Sequence, residues 1–496
     1  MIFNSYVFIF LMMPVSIAGY YLCNRISRKI GLTWLLAVSL FFVGFINIYY
    51  LEVLIPSVII NYVLAYLMNT PGMVLKNKRS VRKMILIAGV MVDVIALLIF
   101  KYTDFFLNSI NKAFSKDYNL LRIILPLGIS FYTFQQISFL VDYYRDGTLH
   151  CSLLEYAVYV CFYPQFVQGP IVLQSEFIPQ LRDQSRALWD SEYGCKGLYR
   201  FIIGLAKKVL IADSLALVVN GGYTHIEDVN ALSSFILLFG YALQIYFDFS
   251  AYSDMAVGLG HMFHFDLPEN FDSPYKAGSI DEFWNRWHIT LTRFFTQYVY
   301  IPLGGSRRGN FRTYINILTV FLLSGIWHGA EWSFVLWGLL HGIAKVVCRL
   351  VRKTSKGTLA MPILIKKIIT FVYVSLAWVF FRAKDSAEAI KILGRLFKGG
   401  WTGISVYMYD SFSKLVEVSW ILRLDILEIR NHFQGLVVIV SVLLLSVLCF
   451  VMRNSREATE TRIKKMTGSS LVVISVLLTW CIISFSGVTD YIYWNF

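Results

Sequence analysis

The chain has 496 residues, 57% hydrophobic, 16% aromatic and only 15% charged, against roughly 25% charged residues in soluble globular chains, which excludes an ordinary soluble domain. The net charge of +14 sits in short loops between apolar runs, so it reads as the cytoplasmic bias of membrane loops and not as nucleic-acid binding, for which no basic recognition module is visible. Apolar runs of about 20 residues recur from one end to the other, which points to an all-α polytopic membrane protein and away from the short alternating strands of a β-barrel.

In chain order, the run Tyr6 to Tyr21 has no positive charge before it and Arg25, Arg28 and Lys29 after it. That order predicts a first transmembrane helix with its N-terminus outside, retained and not cleaved as a signal peptide. Further apolar segments fall near 31–49, 51–68, 84–100, 123–141, 153–173, 198–220, 231–259, 313–331, 332–350, 365–382, 436–452 and 470–488, roughly a dozen candidate spans with the first. Some are candidates for re-entrant or partly inserted segments. Basic clusters at Arg25/Lys29, 76–83, Arg307/Arg308/Arg312, 349–356 and 453–465 mark the cytoplasmic side. Segment 383–435 then falls outside. Within 145–215, Lys207, Lys208 and Asp213 interrupt apolar stretches, and hydropathy does not orient them. The expected organisation is N-terminal membrane helices over 1–122, a core over 123–382, an extracytoplasmic segment over 383–435 and C-terminal membrane helices over 436–496. The seven cysteines are scattered without a CxxC pair, so neither a disulfide framework nor a zinc site is indicated.

Residues 260–312 break the apolar pattern. Within them, "SIDEFWNRWHITLTRFF" predicts one amphipathic helix lying at the interface or dipping into the protein. Ser279 is its N-cap, with Glu282 completing a capping box. Phe283, Trp287, Leu291 and Phe294 share one face, Trp284 and His288 another. Pro302 and Gly304–Gly305 end it.

Eight histidines are candidates for chemistry. His150, His225 and His432 read as solvated loop residues. His261 and His264, three apart, make a weak metal signal without a third ligand. His341 reads as helix packing. His288 in "RWH" and His328 in "IWH" sit beside tryptophans, in or beside apolar stretches where a polar side chain is costly. Burial would keep them neutral and able to take a proton. Sequence physics leaves both open between catalytic and structural roles. A third polar cluster, "QIYFDFSAYSDMAVGLG", carries Tyr246, Asp248 and Asp254 beside a span, as the wall of a polar tunnel or as a helix–helix contact. No GxSxG elbow, Walker loop or GxGxxG opening a helix is present, and no internal repeat stands out.

Four ordered stretches, "FYPQFVQGPI" (162–171), "QIYFDFSAYSDMAVGLG" (244–260), "FWNRWHITLTRFFTQYVYIPLGGSRRG" (283–309) and "LSGIWHGAEWSFVLWGLLHG" (323–342), resemble the membrane-bound O-acyltransferase (MBOAT) family, in its bacterial alginate O-acetyltransferase branch. The resemblance is strong from about 120 to 400 and weak before. It implies a helical shell around a transmembrane tunnel, with an acyl donor from the cytoplasm and an acceptor hydroxyl from outside. It matches the family's invariant histidine to His328 and its second motif histidine to His288.

The implied roles are His328 as general base and His288, with Asn285, polarising the carbonyl or orienting the acceptor. Trp284, Trp287, Trp327, Tyr246 and Asp248 would line the substrate path. Arg307 and Arg308 read first as positive-inside anchors, with contact to coenzyme A phosphates as the functional alternative. The resemblance further implies acetyl-CoA as donor, an extracytoplasmic polysaccharide (alginate-like, exopolysaccharide or peptidoglycan) as acceptor, an SGNH-type acetyltransferase as partner, membrane lipids around the chain and a bacterial plasma-membrane location. The alternatives are D-alanyl transfer to teichoic acid within the family and, outside it, a polysaccharide or lipid transporter.

Overall fold

In the computed structural model, residues 2–69, 78–146, 151–354, 361–401, 403–413, 415, 430–463, 468–487 and 491–492 are described. Two compact units emerge, Met1–Leu198 with Ala256–Pro268, and Tyr199–Met255 with Glu269–Phe496.

The first unit begins with α1 (Phe8–Ile26), α2 (Arg28–Ile46), α3 (Tyr49–Asn69) and α4 (Lys78–Phe114), followed by α5 (Ile129–Asp146), α6 (Leu153–Cys161), α7 (Tyr163–Phe166) and α8 (Gln174–Arg182). The apolar window of α4 is only 11% buried, and Met84, Met91 and Ile95 are exposed on it. In a bilayer such a surface meets lipid, so exposure costs nothing there. Inside this unit Asn61 Nδ2 donates to Asp93 Oδ1 at 2.8 Å, and Arg28 Nε to the Leu181 carbonyl at 2.7 Å.

The second unit contains most of α9 (Ser191–Ala206), a π-helical turn over Lys207–Ala212, α10 (Asp213–Thr224) and most of α11 (Ala231–Met262). There follow α12 (Ile280–Arg286), α13 (Ile289–Phe295), α14 (Asn310–His328), α15 (Trp332–Thr354), α16 (Ile363–Arg382), α17 (Ser386–Arg395), α18 (Val406–Phe412), α19 (Arg430–Val451), α20 (Ser455–Ile463) and α21 (Gly468–Ile483). The charges that hydropathy could not orient neutralise one another. Lys208 lies 2.8 Å from both Asp213 and Asp248, and Arg200 bridges Asp254 and Glu269 at 2.8 and 2.7 Å. Lys207 joins Asp254 at 2.7 Å. Removing one partner of such a buried set costs about 3–5 kcal/mol, because it strands the other charge.

Helices α14 and α15 pack as a tight hairpin. A Cβ on Gly325 would lie 2.4 Å from the Phe334 carbonyl oxygen, and one on Gly338 would lie 2.4 Å from that of Phe321. Only glycine permits this backbone approach, the small-residue packing that membrane helices favour.

Seven described helices are long and apolar enough to cross a membrane, or eight if the bent pair 435–451 and 455–463 forms one span. The roughly dozen expected spans fall short for local reasons. Segment 123–141 yields α5, which buries Thr133, Gln135 and Gln136. Segment 153–173 breaks after Cys161, where Phe162 and Pro164 start a new short helix. Segment 198–220 carries the ion-paired lysines across the π turn. In the expected external segment, α17 and α18 are folded elements. Arg395 pairs with Glu227 at 3.2 Å, and the Tyr407 ring stacks on His225 at 3.7 Å. Trp420 lies outside the described residues.

Candidate active site

The expected single helix over 279–295 is two helices. Ser279 caps the first as expected, its side chain accepting from the Glu282 amide at 3.2 Å, while Glu282 reaches the Gly278 amide and not that of Ser279. After Arg286 the chain breaks, and His288 adopts left-handed backbone angles, φ 44° and ψ 54°. A non-glycine residue there costs about 1–2 kcal/mol. The cost is met by a short antiparallel pairing: Phe271 bridges Trp287, the Asp272 amide donates to the Arg286 carbonyl at 2.9 Å, and the Ile289 amide to the Asn270 carbonyl at 3.0 Å. Trp284 and His288 therefore do not share a helical face.

The break aims His288 inward, where it is fully buried. Its Nδ1 lies 3.2 Å from Asn270 Oδ1. The same oxygen accepts from Thr290 Oγ1 at 2.7 Å and from the Thr290 amide at 3.3 Å. An amide N–H can only donate, so the Asn270 oxygen, not its nitrogen, faces this cluster. His288 Nδ1 is then the protonated nitrogen, and Nε2 carries a lone pair with no hydrogen-bond partner among the described residues. Burial pushes the imidazole down to about 3, so it is neutral at physiological pH.

His328 ends α14 and is 2% exposed. Its ring centroid is 4.8 Å from Trp327, 5.0 Å from Trp337 and 5.2 Å from Phe381. The His288 and His328 centroids are 6.5 Å apart. That is too far for a direct bond, and close enough for one hydroxyl to lie within hydrogen-bond reach of both. Glu331, the acid nearest His328 in sequence, is exposed.

The other expected residues divide. Trp327 joins the pair, 6.4 Å from His288. Trp287 and Tyr246 are buried in an aromatic cluster with Phe271 and Tyr275. Trp284 lines a cavity, and its Nε1 donates to His341 Nδ1 at 3.3 Å, which gives His341 a packing role. Asp248 is bound by Lys208 and by the Ile492 amide at 2.9 Å. Asn285, expected to act with His288, is exposed, because α12 turns Phe283 and Trp284 inward. Arg307 and Arg308 are exposed and line neither of the cavities beside α14. Asn270 is the residue that sequence reasoning missed. Its signal was "LPENF", a polar residue before an apolar one in a loop.

His261 Nε2 lies 3.6 Å from Asp266 Oδ1, and His264 Nδ1 lies 3.4 Å from the Leu188 carbonyl. No cluster of three or more metal-ligating side chains occurs among the described residues. All seven cysteines are free thiols. His150 and the His432 side chain lie outside the described residues.

The family model described as MBOAT, membrane-bound O-acyltransferase family, matches residues 148–383. The chain is 40% identical to a peptidoglycan O-acetyltransferase of Helicobacter pylori, over 82% of this chain and 81% of the relative. It is 35% identical to a "Probable alginate O-acetylase AlgI" of Pseudomonas aeruginosa, over 81% and 75%. A teichoic acid D-alanyltransferase of Bacillus subtilis is more distant, 26% identical over 53% of this chain and 70% of the relative. With its apolar helices and buried histidine pair, the chain is a multi-pass membrane protein and an O-acyltransferase, and it belongs to the membrane-bound O-acyltransferase family.

Proposed function

We propose that the protein transfers acetyl groups from acetyl-CoA, presented at the cytoplasmic face of a bacterial plasma membrane, to hydroxyls of an extracytoplasmic polysaccharide, peptidoglycan or an exopolysaccharide. The transfer runs directly or through an SGNH-type acetyltransferase partner. The observation that carries the reading is the buried pair His288 and His328, 6.5 Å apart and walled by aromatic rings. The names of the relatives at 40% and 35% identity support acetyl as the group and an envelope polymer as the acceptor.

A thioester is already activated, so no covalent enzyme intermediate is required. The site must align a hydroxyl with the thioester carbonyl, take its proton and exclude water. In this mechanism the hydroxyl oxygen attacks the carbonyl carbon while His328 takes the proton. The carbon–sulfur bond then breaks, and the departing thiolate takes that proton back, leaving an acetyl ester and a free thiol. His288, as the neutral Nδ1–H tautomer, has no proton on Nε2 to offer a carbonyl oxygen. Its Nε2 lone pair is placed to accept from a second donor on the acceptor, such as a neighbouring hydroxyl, and so to orient it, while the reacting hydroxyl's one proton goes to His328; Asn270, not Asn285, holds the ring.

The test is chemical analysis of the envelope. Deleting the gene should remove base-labile acetate from purified sacculi or exopolysaccharide, and the wild-type gene should restore it where His328→Gln does not. Unchanged acetate together with lost ester-linked alanine would replace this reading with D-alanyl transfer.

A further inference from the structure

Asn270 holds His288, and Asn270 must itself be held. It lies in a segment, 269–272, that forms no helix and only a single bridge, so its order is borrowed from its neighbours. On one side the segment meets the His288 loop. The Asn270 carbonyl accepts from the Ile289 amide at 3.0 Å, and the Asp272 amide donates to the Arg286 carbonyl at 2.9 Å. On the other side it meets α11. Asn270 Nδ2 lies 3.5 Å from Ser253 Oγ, a long contact, and the Phe271 ring is 4.9 Å from Phe249. Phe249 and Ser253 are four apart and share one face of α11. Phe249 also meets the His288 ring edge-on at 4.7 Å.

The strongest anchor of the segment is charged and sits one residue before Asn270. Arg200 Nη2 donates to Glu269 Oε2 at 2.7 Å, and its Nε donates to Asp254 Oδ1 at 2.8 Å. Asp254 follows Ser253 on α11, and its second oxygen takes Lys207 at 2.7 Å. Asp254 thus has two cations, whereas the one ion-pair partner of Glu269 among the described residues is Arg200. Arg200 is 4% exposed, so both bonds are charge-assisted and shielded from water. A guanidinium is a rigid planar fork. Holding both carboxylates, it fixes the distance between α11 and the segment that carries Asn270.

We infer that Arg200 and Glu269 are positioning residues for His288. The Arg200 fork, seated on Asp254, pins Glu269. Glu269 sets the place of Asn270, whose amide oxygen then faces His288 Nδ1 and keeps the ring in the tautomer with Nε2 unprotonated. Neither Arg200 nor Glu269 touches the reacting atoms. This rests on the part of His288 in acyl transfer and carries its support from the 269–272 segment into α9 and α11.

The test uses the purified full-length protein in nanodiscs, with isotope-labelled histidine read by solid-state NMR of the ring nitrogens near neutral pH. The spectrum of His288→Gln assigns the His288 signals. Pulse-labelled envelope acetate in the complemented deletion strain reports the transfer rate. The wild type should show one His288 tautomer, protonated on Nδ1. Glu269→Ala leaves Arg200 on Asp254, so the protein should fold; His288 should show both tautomers, and transfer should fall about 10- to 10²-fold, the scale of a misplaced reacting group. Glu269→Gln keeps an oxygen for Arg200 and should keep the single tautomer and most of the transfer. Arg200→Lys lacks the fork that grips both carboxylates in fixed geometry. It should also give the tautomer mixture, and it serves where Glu269→Ala does not fold. Adding Glu269→Ala to Asn270→Ala should change neither the mixture nor the rate further, because the two act in series. A folded Glu269→Ala or Arg200→Lys protein with the wild-type tautomer overturns the inference, whatever its activity, and so do multiplying losses in the double variant. A tautomer mixture with unaltered transfer supports the positioning and counts instead against the part of His288 in the reaction.

Discussion

Replacing Asn270 with alanine is the sharpest probe of how the fold prepares its histidine. Asn270 Oδ1 accepts from His288 Nδ1 and from both donors of Thr290, and all three residues are buried. Leaving a buried donor unmatched costs about 1–3 kcal/mol. The left-handed backbone at His288 is held by backbone pairing that Asn270→Ala leaves in place. Asn270→Ala should therefore destabilise the protein by about 1–3 kcal/mol. It should also release the imidazole to rotate and change tautomer, misplacing the acceptor and lowering transfer by about 10²-fold. Asn270→Asp keeps an acceptor toward Nδ1. It should retain much of the activity, and its carboxylate should raise the His288 pKa from about 3, moving the acid limb of the rate–pH profile upward. The assay is acetyl transfer in nanodiscs across pH, beside thermal unfolding of each variant. A stably folded Asn270→Ala enzyme with wild-type turnover and an unshifted pH profile would show that this hydrogen bond does not prepare His288.

Three further outcomes follow from the same geometry. His288 is held near pKa 3 in the fold against about 6.5 unfolded; its contribution to stability is complete above pH 6.5 and is lost as pH falls toward 3, at up to about 1.4 kcal/mol per pH unit. Acid unfolding of His288→Gln should be correspondingly shallower between pH 6.5 and 5, and an identical slope would contradict the buried neutral imidazole. Gly338→Leu must displace the Phe321 carbonyl that lies 2.4 Å from its Cβ position, so it should cost about 1–3 kcal/mol by overpacking and lower the melting temperature; an unchanged melting temperature would deny the close approach. Single cysteines at Asp410 and Glu457, both exposed, in a cysteine-free background should be labelled by an impermeant thiol reagent at 410 and spared at 457 in intact cells, while the reverse pattern would invert the donor side.

Much of this architecture was legible in the residues. The cost of an imidazole beside tryptophans singled out His288 and His328, and hydropathy marked α1 to α4, α11, α15 and α16. Periodicity failed where tertiary pairing overrides it. The stretch 279–295 has an unbroken amphipathic pattern, yet the bridge from Phe271 to Trp287 forces a left-handed residue into its middle. That one break moved Asn285 out of the site and left its place to Asn270, fifteen residues upstream in a loop with no motif of its own. The basic clusters were equally ambiguous. Arg307–Arg308 and Arg349–Lys353 look alike as anchors in sequence, and only the fold shows that the second lines a cavity. Lys207, Lys208 and Asp213 resisted hydropathy because their partners, Asp248 and Asp254, arrive from another helix.

The central claim, that the buried histidine pair carries acyl transfer, is tested most directly by single-turnover acetyl transfer from saturating acetyl-CoA in wild type and His328→Gln. Glutamine keeps much of the shape of histidine but cannot take a proton. The account predicts a rate constant lower by about 10²–10⁴, with unchanged donor affinity and an unaltered size-exclusion profile. A folded His328→Gln enzyme turning over at the wild-type rate would contradict it, and would leave His328 a packing residue between Trp327 and Trp337.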